Sequence, residues 1–256
     1  MNIVVCLKPI QSVSADSFNT GYKLSISVQD RNTLHQAMRI KNSIKGNACK
    51  VIVVAMSRMD AKDCLNQLYE YGVDRVYLLA NQKFAGADTI ATAYTLGRFL
   101  RSIEYDYVLT GFQSGDSETG LVPPALAEEL GIKCMTNVEI NGVLSDTGLE
   151  IRRYYENSIV SVNLKEPAVL SICFMEEEVK RPCFHDILDN ANEISVVTTF
   201  DYDETRVGIS GSKTKVESIK NRAVKSRRGM VCGFEQGMAV LRDCIYEAQA
   251  DKQVKR

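Results

Sequence analysis

Between Thr110 and Gly131 the chain reads TGFQSGDSETGLVPPALAEELG. An apolar run, Tyr107 to Gly111, leads into a small polar loop, and the loop leads into a helical pattern from Leu121 to Leu130 that stops at Gly131. Pro123 and Pro124 suit the first turn of a helix, where a backbone N–H has no partner inside the helix. Gly115, Ser117, Thr119 and Gly120 allow close approach to the backbone. Hydroxyls and free N–H groups at a helix start can meet phosphate oxygens. Asp116 and Glu118 add negative charge, which suits ribose hydroxyls or a helix cap. The ordinary alternative is a plain strand–loop–helix link whose Ser, Thr and Asp residues do no more than cap the helix.

The same strand-then-helix unit repeats upstream. Short apolar runs at Ile3–Leu7, Lys50–Met56 and Arg75–Leu79 alternate with helical patterns at 30–45, from Asp60 to Gly72, and from Asp88 to Ser102. Nearly continuous apolar strands separated by helices predict a mostly parallel, doubly wound sheet covered on both faces. Ligands of such sheets lie beyond the carboxyl ends of the strands, where strand order reverses. That points to Leu7–Gln11, Met56–Met59, Asn81–Thr89 and Phe112–Gly120. Downstream, Cys134–Ile140, Leu149–Tyr155, Ile159–Leu164 and Ala168–Phe174 read as strands and are expected to form an antiparallel addition to the same domain. The division expected is an α/β domain over residues 1–200 and a polar C-terminal arm over 201–256. The arm ends in a helix, Gln236–Gln249, and has too little apolar content for a core of its own.

Composition narrows the function classes. The 256 residues carry 31 basic and 32 acidic side chains, a net charge of −1, which gives no electrostatic case for nucleic acid or an anionic membrane surface. No apolar run approaches the roughly 20 residues of a membrane span. MNIVVCLKPI has neither a basic leader nor a cleavage site and reads as a first strand, so a cytoplasmic protein is expected. The eight cysteines include no Cys-x-x-Cys pair and read as reduced core thiols. With only His35 and His185 beside them, no metal site is expected.

Other motifs fail on inspection. Gly208–Thr214, GISGSKT, lacks the glycine before the lysine that a phosphate loop needs, because Ser212 stands there. No Gly-x-Gly-x-x-Gly follows the first strand, and no Gly-x-Ser-x-Gly elbow exists. No nucleophile–base pattern accompanies either histidine, so no catalytic residue is assigned. Asp88 reads first as an ordinary N-cap for the helix that begins Asp88-Thr89-Ile90-Ala91-Thr92.

Taken in order, these segments resemble the electron transfer flavoprotein beta subunits, including their nitrogen-fixation and carnitine-linked branches. The carriers are IVVCLKPI, YGVDRVYLL, GADTIATAYTLGRFL, the 110–131 segment, LKEPAVLSI and GISGSKTKV, in the family's order and spacing over about residues 1–220. The resemblance implies an adenine nucleotide in this chain, AMP or a second FAD, and a redox FAD held by an alpha subunit. By matched position the nucleotide would meet Leu7, Lys8, Pro9, Ser27, Asp30, Met56 and the loop Gln113, Ser114, Gly115, Asp116, Ser117, Glu118, Thr119, Gly120 and Leu121, with Thr89 and Thr92 near the phosphates. The chain departs from the family at Ser27-Val28 for Asn-Pro, Glu118 for Asp, Leu121 for Gln and Pro123 for Gly. The 180–191 loop matches the segment that docks dehydrogenase partners, with Phe184 the best anchor, flanked by Arg181 and His185. The function implied is electron carriage between a dehydrogenase and an acceptor in a heterodimer. Two other readings stand beside it: a free-standing adenine-nucleotide sensor, which would not need the β addition or the long tail, and a phosphoryl or adenylyl transferase, which lacks an evident base and cationic clamp in the loop.

Overall fold

The computed structural model describes residues 1–12, 23–44, 46, 48–140, 148–173, 193–218 and 233–243. Residues 1–215 form one compact unit and residues 216–256 a second. In the second unit residues 234–243 are helical and expose Phe234, Met238 and Leu241. No helix among the described residues is long and apolar enough to cross a membrane.

The first unit is built on a nine-stranded sheet. Its strands, in chain order, are β1 (Asn2–Leu7), β4 (Lys50–Met56), β5 (Arg75–Leu79), β6 (Tyr107–Gly111), β7 (Lys133–Ile140), β8 (Leu149–Tyr155), β9 (Ser158–Leu164), β10 (Ala168–Ile172) and β11 (Ser195–Val197). A separate antiparallel pair, β2 (Ile10–Ser12) and β3 (Lys23–Ser25), follows β1. Across the large sheet the order is β11-β5-β4-β1-β6-β10-β7-β8-β9. From β1 the chain steps outward to β4 and β5, then returns to β6 on the other side of β1. The order therefore reverses between β1 and β6, where Val5 pairs in register with Leu109 and Cys6 with Thr110.

Strand alternation sends side chains to two helical layers. Ile3, Val5 and Leu7 pack with Leu34, Ala37 and Ile40 of α1 (Val28–Ser43) and with Leu65 of α2 (Lys62–Asn66). Val4 and Cys6 pack on the opposite face with Ala93, Leu96 and Leu100 of α3 (Thr89–Leu100) and Leu126 and Ala127 of α4 (Val122–Leu130). This is the doubly wound arrangement expected from the apolar runs.

The structure differs from the sequence reading in two places. Of the four segments assigned to an antiparallel addition, only β8 and β9 pair antiparallel throughout. β10 lies inside the sheet, parallel to β6 and β7. Its five residues are all buried, as a strand covered on both faces must be. The first helix also starts earlier than Asp30: the Ser27 hydroxyl accepts from the Asp30 N–H, which frees the Asp30 carboxylate for another role.

Residues 195–214 belong to the first unit: β11 pairs with β5, and the strap that follows it packs against α3 and α4. Phe200 and Tyr202 join Phe84 and Phe99 in edge-on or tilted ring contacts with centroids 5.1 to 5.8 Å apart. The Tyr94 hydroxyl accepts from the Asp203 N–H at 2.8 Å, and the Arg206 guanidinium lies 4.0 Å from the Tyr94 ring centre. The strap then turns through a short helix, α5 (Gly208–Gly211). Gly208 is required there: its φ is +53°, and a Cβ would stand 2.0 Å from the Lys83 carbonyl oxygen.

Candidate functional site

The carboxyl ends of β1, β4 and β6 lie side by side at the point of strand reversal, where sheets of this kind form their ligand crevice. Leu7 ends β1 and is buried, as is Pro9 two residues on, while Lys8 between them points to solvent. Met56 ends β4. β6 ends at Gly111 and releases the 112–121 loop. The Phe112 N–H donates to the Ile172 carbonyl, so the loop starts anchored to β10.

Across the reversal point the Lys8 ammonium meets the Asp116 carboxylate at 2.7 Å. Burial alone would raise Asp116, but hydrogen bonds from Lys8 and Ser114 and the Lys8 charge hold it below the usual carboxylate range. Within the loop the Ser114 and Ser117 hydroxyls share a hydrogen bond of 2.7 Å, and the Glu118 N–H donates to the Ser114 carbonyl. Glu118 has φ +50° and Gly120 φ +63°. For a glutamate this left-handed backbone is unusual, and such strain is typical of ligand-facing loops.

α4 begins at Val122, behind Leu121, with no side-chain cap. The capping role open to Asp116 and Glu118 in the sequence is therefore not taken. Pro123 and Pro124 remove two N–H groups from the first turn, so the helix start offers an anion only the amides before them. Leu121 itself is 56% exposed, an apolar side chain on the rim.

Beneath the loop lies Asp30, in the first turn of α1. One carboxylate oxygen accepts from the Lys8 N–H at 3.2 Å. Burial pushes this carboxyl up to about 6, against the lowering effect of its hydrogen bonds and of Lys8. Behind it burial pushes the Cys6 thiol up to about 12, with the Asp30 charge adding to the effect. Gly111 makes room: a Cβ there would stand 3.3 Å from Asp30 Oδ1 and 3.6 Å from the Gln113 carbonyl oxygen.

The structure thus brings Leu7, Lys8, Pro9, Ser27, Asp30, Met56 and the Gln113–Leu121 loop to one end of the sheet. Thr89 and Thr92 lie at the same end of the sheet, on the β5 side of the strand order. They open α3, which follows β5, and β5 lies two strands from β1, about 10 Å at ordinary strand spacing. The start of α3 is also closed by Asp88: Oδ1 accepts from the Ile90 and Ala91 N–H groups, and Oδ2 from the Lys213 and Thr214 N–H groups and the Thr214 hydroxyl. Residues 212–214 of the GISGSKT segment are therefore a tie to α3. Arg181, Phe184 and His185 lie outside the described residues. The sequence reading missed Gly111, which looks like an ordinary strand terminus until Asp30 is seen against it. It also missed Thr110, whose buried hydroxyl has no hydrogen-bond partner among the described residues.

Comparison with known proteins identifies the family. A family described as "Electron transfer flavoprotein domain" matches residues 18–173. The electron transfer flavoprotein subunit beta of Clostridium acetobutylicum is 32% identical over 241 residues, covering 89% of this chain and 90% of the relative. Protein FixA of Azorhizobium caulinodans is 27% identical, covering 92% and 90%. The caffeyl-CoA reductase-Etf complex subunit CarD of Acetobacterium woodii is 28% identical, covering 67% and 68%. The strand reversal, the loop that lies over it and a match spanning more than half of the chain lead to one assignment: this chain belongs to the electron transfer flavoprotein family, as a protein of the beta-subunit type.

Proposed function

We propose that this chain holds an adenine nucleotide, AMP or FAD, in the crevice between β1 and β6. With an FAD-bearing alpha subunit it passes electrons between a dehydrogenase and an acceptor. The observation that carries the reading is the Lys8–Asp116 pair laid across the reversal point under an uncapped helix start. A cation, free backbone N–H groups and loop hydroxyls suit phosphate oxygens, and Asp116 and Glu118 suit ribose hydroxyls. The flavin supplies the redox chemistry. The chain's own residues bind and orient the nucleotide. The relative from Acetobacterium woodii is named as a subunit of a reductase complex, which supports a chain that works inside an assembly. The 180–191 segment, with Arg181, Phe184 and His185, is the proposed dock for the dehydrogenase.

The test is to co-produce the chain with its alpha partner, record the visible spectrum, release bound small molecules with acid and identify them by mass. AMP, or FAD beyond the one carried by alpha, supports the reading and selects between its two forms. Absence of both, after incubation with an excess of each, removes the nucleotide and leaves a partner-binding scaffold.

A further inference from the structure

Asp30 is the buried carboxylate of the crevice, 7% exposed. As the third residue of α1 it stands where a side chain commonly reaches back to its own helix start. It does interact there with Ser27, and it also crosses to β1, where it accepts from the Lys8 N–H, while Oδ1 lies beside Gly111. The residue whose backbone it holds is the one whose ammonium meets Asp116. Among the described residues, the charged groups that act on Asp30 are Lys8, which favours its ionised form, and Asp116, which opposes it. From β1 the Cys6 thiol stays neutral in the working pH range. From α1, Ser27 and Thr33 bring hydroxyls only.

We propose that Asp30 is a positioning residue that ties anion binding at Lys8 to the uptake of a proton. The proposal rests on the crevice being the nucleotide site. Asp30 and Asp116 together outnumber Lys8 by one negative charge when all three are ionised. An anion brought to Lys8 competes with Asp116 for the ammonium and repels the ionised Asp30, so it favours the protonated form of Asp30. By reciprocity, protonated Asp30 favours the anion. Burial places the change where it can be used, because it raises the Asp30 carboxyl to about 6.

The experiment titrates the full-length chain with FAD. Its pyrophosphate stays fully ionised over the range, whereas a terminal phosphate such as that of AMP titrates near pH 6 and would obscure the effect. The FAD dissociation constant is expected to fall about fivefold from about pH 7.5 to about pH 5. Calorimetry in two buffers of different ionisation enthalpy should show proton uptake near pH 6. Asp30→Asn keeps a carbonyl acceptor for the Lys8 N–H but has no carboxyl to protonate, so whatever its affinity for FAD, its pH profile should be flat and its proton uptake absent. The calorimetric readout needs no variant. A flat wild-type profile, or the same slope in Asp30→Asn, overturns the coupling and leaves the nucleotide reading standing. Failure of FAD, AMP and ADP-ribose to bind at any pH overturns both.

Discussion

Asp30 and Asp88 both stand in the first turn of a helix, and their surroundings treat them in opposite ways. Asp88 collects donors from two directions, and these hydrogen bonds outweigh burial and hold its carboxyl below the ordinary range. Asp30 takes hydrogen bonds from the Lys8 N–H and from Ser27, but burial outweighs them and raises it to about 6. A carboxyl raised on folding adds stability while both states are protonated, fully below the unfolded value near 3.9, and that stability is lost as pH rises through about 6. Ionising Asp30 in the fold should therefore cost about 2 to 3 kcal/mol at neutral pH. Urea denaturation should show Asp30→Asn more stable than the wild type near pH 7.5, with the gap closing below about pH 4. A constant difference across that range would mean that Asp30 folds into its site with an ordinary affinity for protons.

At the scale of elements, the start of α3 is where two distant parts of the chain are joined. Asp88 caps the helix with one oxygen and holds residues 213–214 with the other. Asn caps helices about as well as Asp, so a cap alone predicts little effect for Asp88→Asn. Here both oxygens face N–H donors, and the amide NH₂ of Asn must oppose one set. Asp88→Asn is expected to cost about 1 to 2 kcal/mol in chemical denaturation and to speed hydrogen exchange at the Lys213 and Thr214 amides. An unchanged midpoint with unchanged exchange would mean that the tie contributes nothing. α4 shows the opposite design. It lacks a side-chain cap, and Pro123 and Pro124 thin out its donors, so an anion bound beside it as proposed would depend more heavily on Lys8.

For the whole molecule the question is where the first unit ends. Its contacts run to Lys215, through the aromatic packing of Phe200 and Tyr202, the buried Val207 and the Arg206–Glu129 ion pair. A chain truncated after Lys215 should keep the melting temperature of the first unit. One truncated after Phe200 should lose several kcal/mol, because it uncovers the α3 and α4 layer and leaves the start of α3 without Ser212 to Thr214. Thermal melts of the two truncations, read side by side, check this. Equal stability would show that the strap is decoration on an already complete core.

Much of this was legible in the residues because it depends on local patterns. Runs such as IVVCL, VIVVA and YVLT can only be buried strands, and a glycine-bearing loop between such a strand and a proline-started helix marks the strand's carboxyl end. The crevice and most of its residues follow from that alone. The place of β10 was also written in AVLSI, whose lack of alternation signals a strand covered on both faces. Long-range pairing was not legible. That Asp30 reaches Lys8, that Gly111 stands close beside its carboxylate, and that Ser212 to Thr214 fasten to Asp88 are matters of contact between segments some 20 to 126 residues apart. Composition and periodicity carry no information about which distant donor will meet a given carboxylate. Only the folded sheet brings those groups within hydrogen-bonding reach, and with that it decides which acids are held ionised and which are held near their titration point.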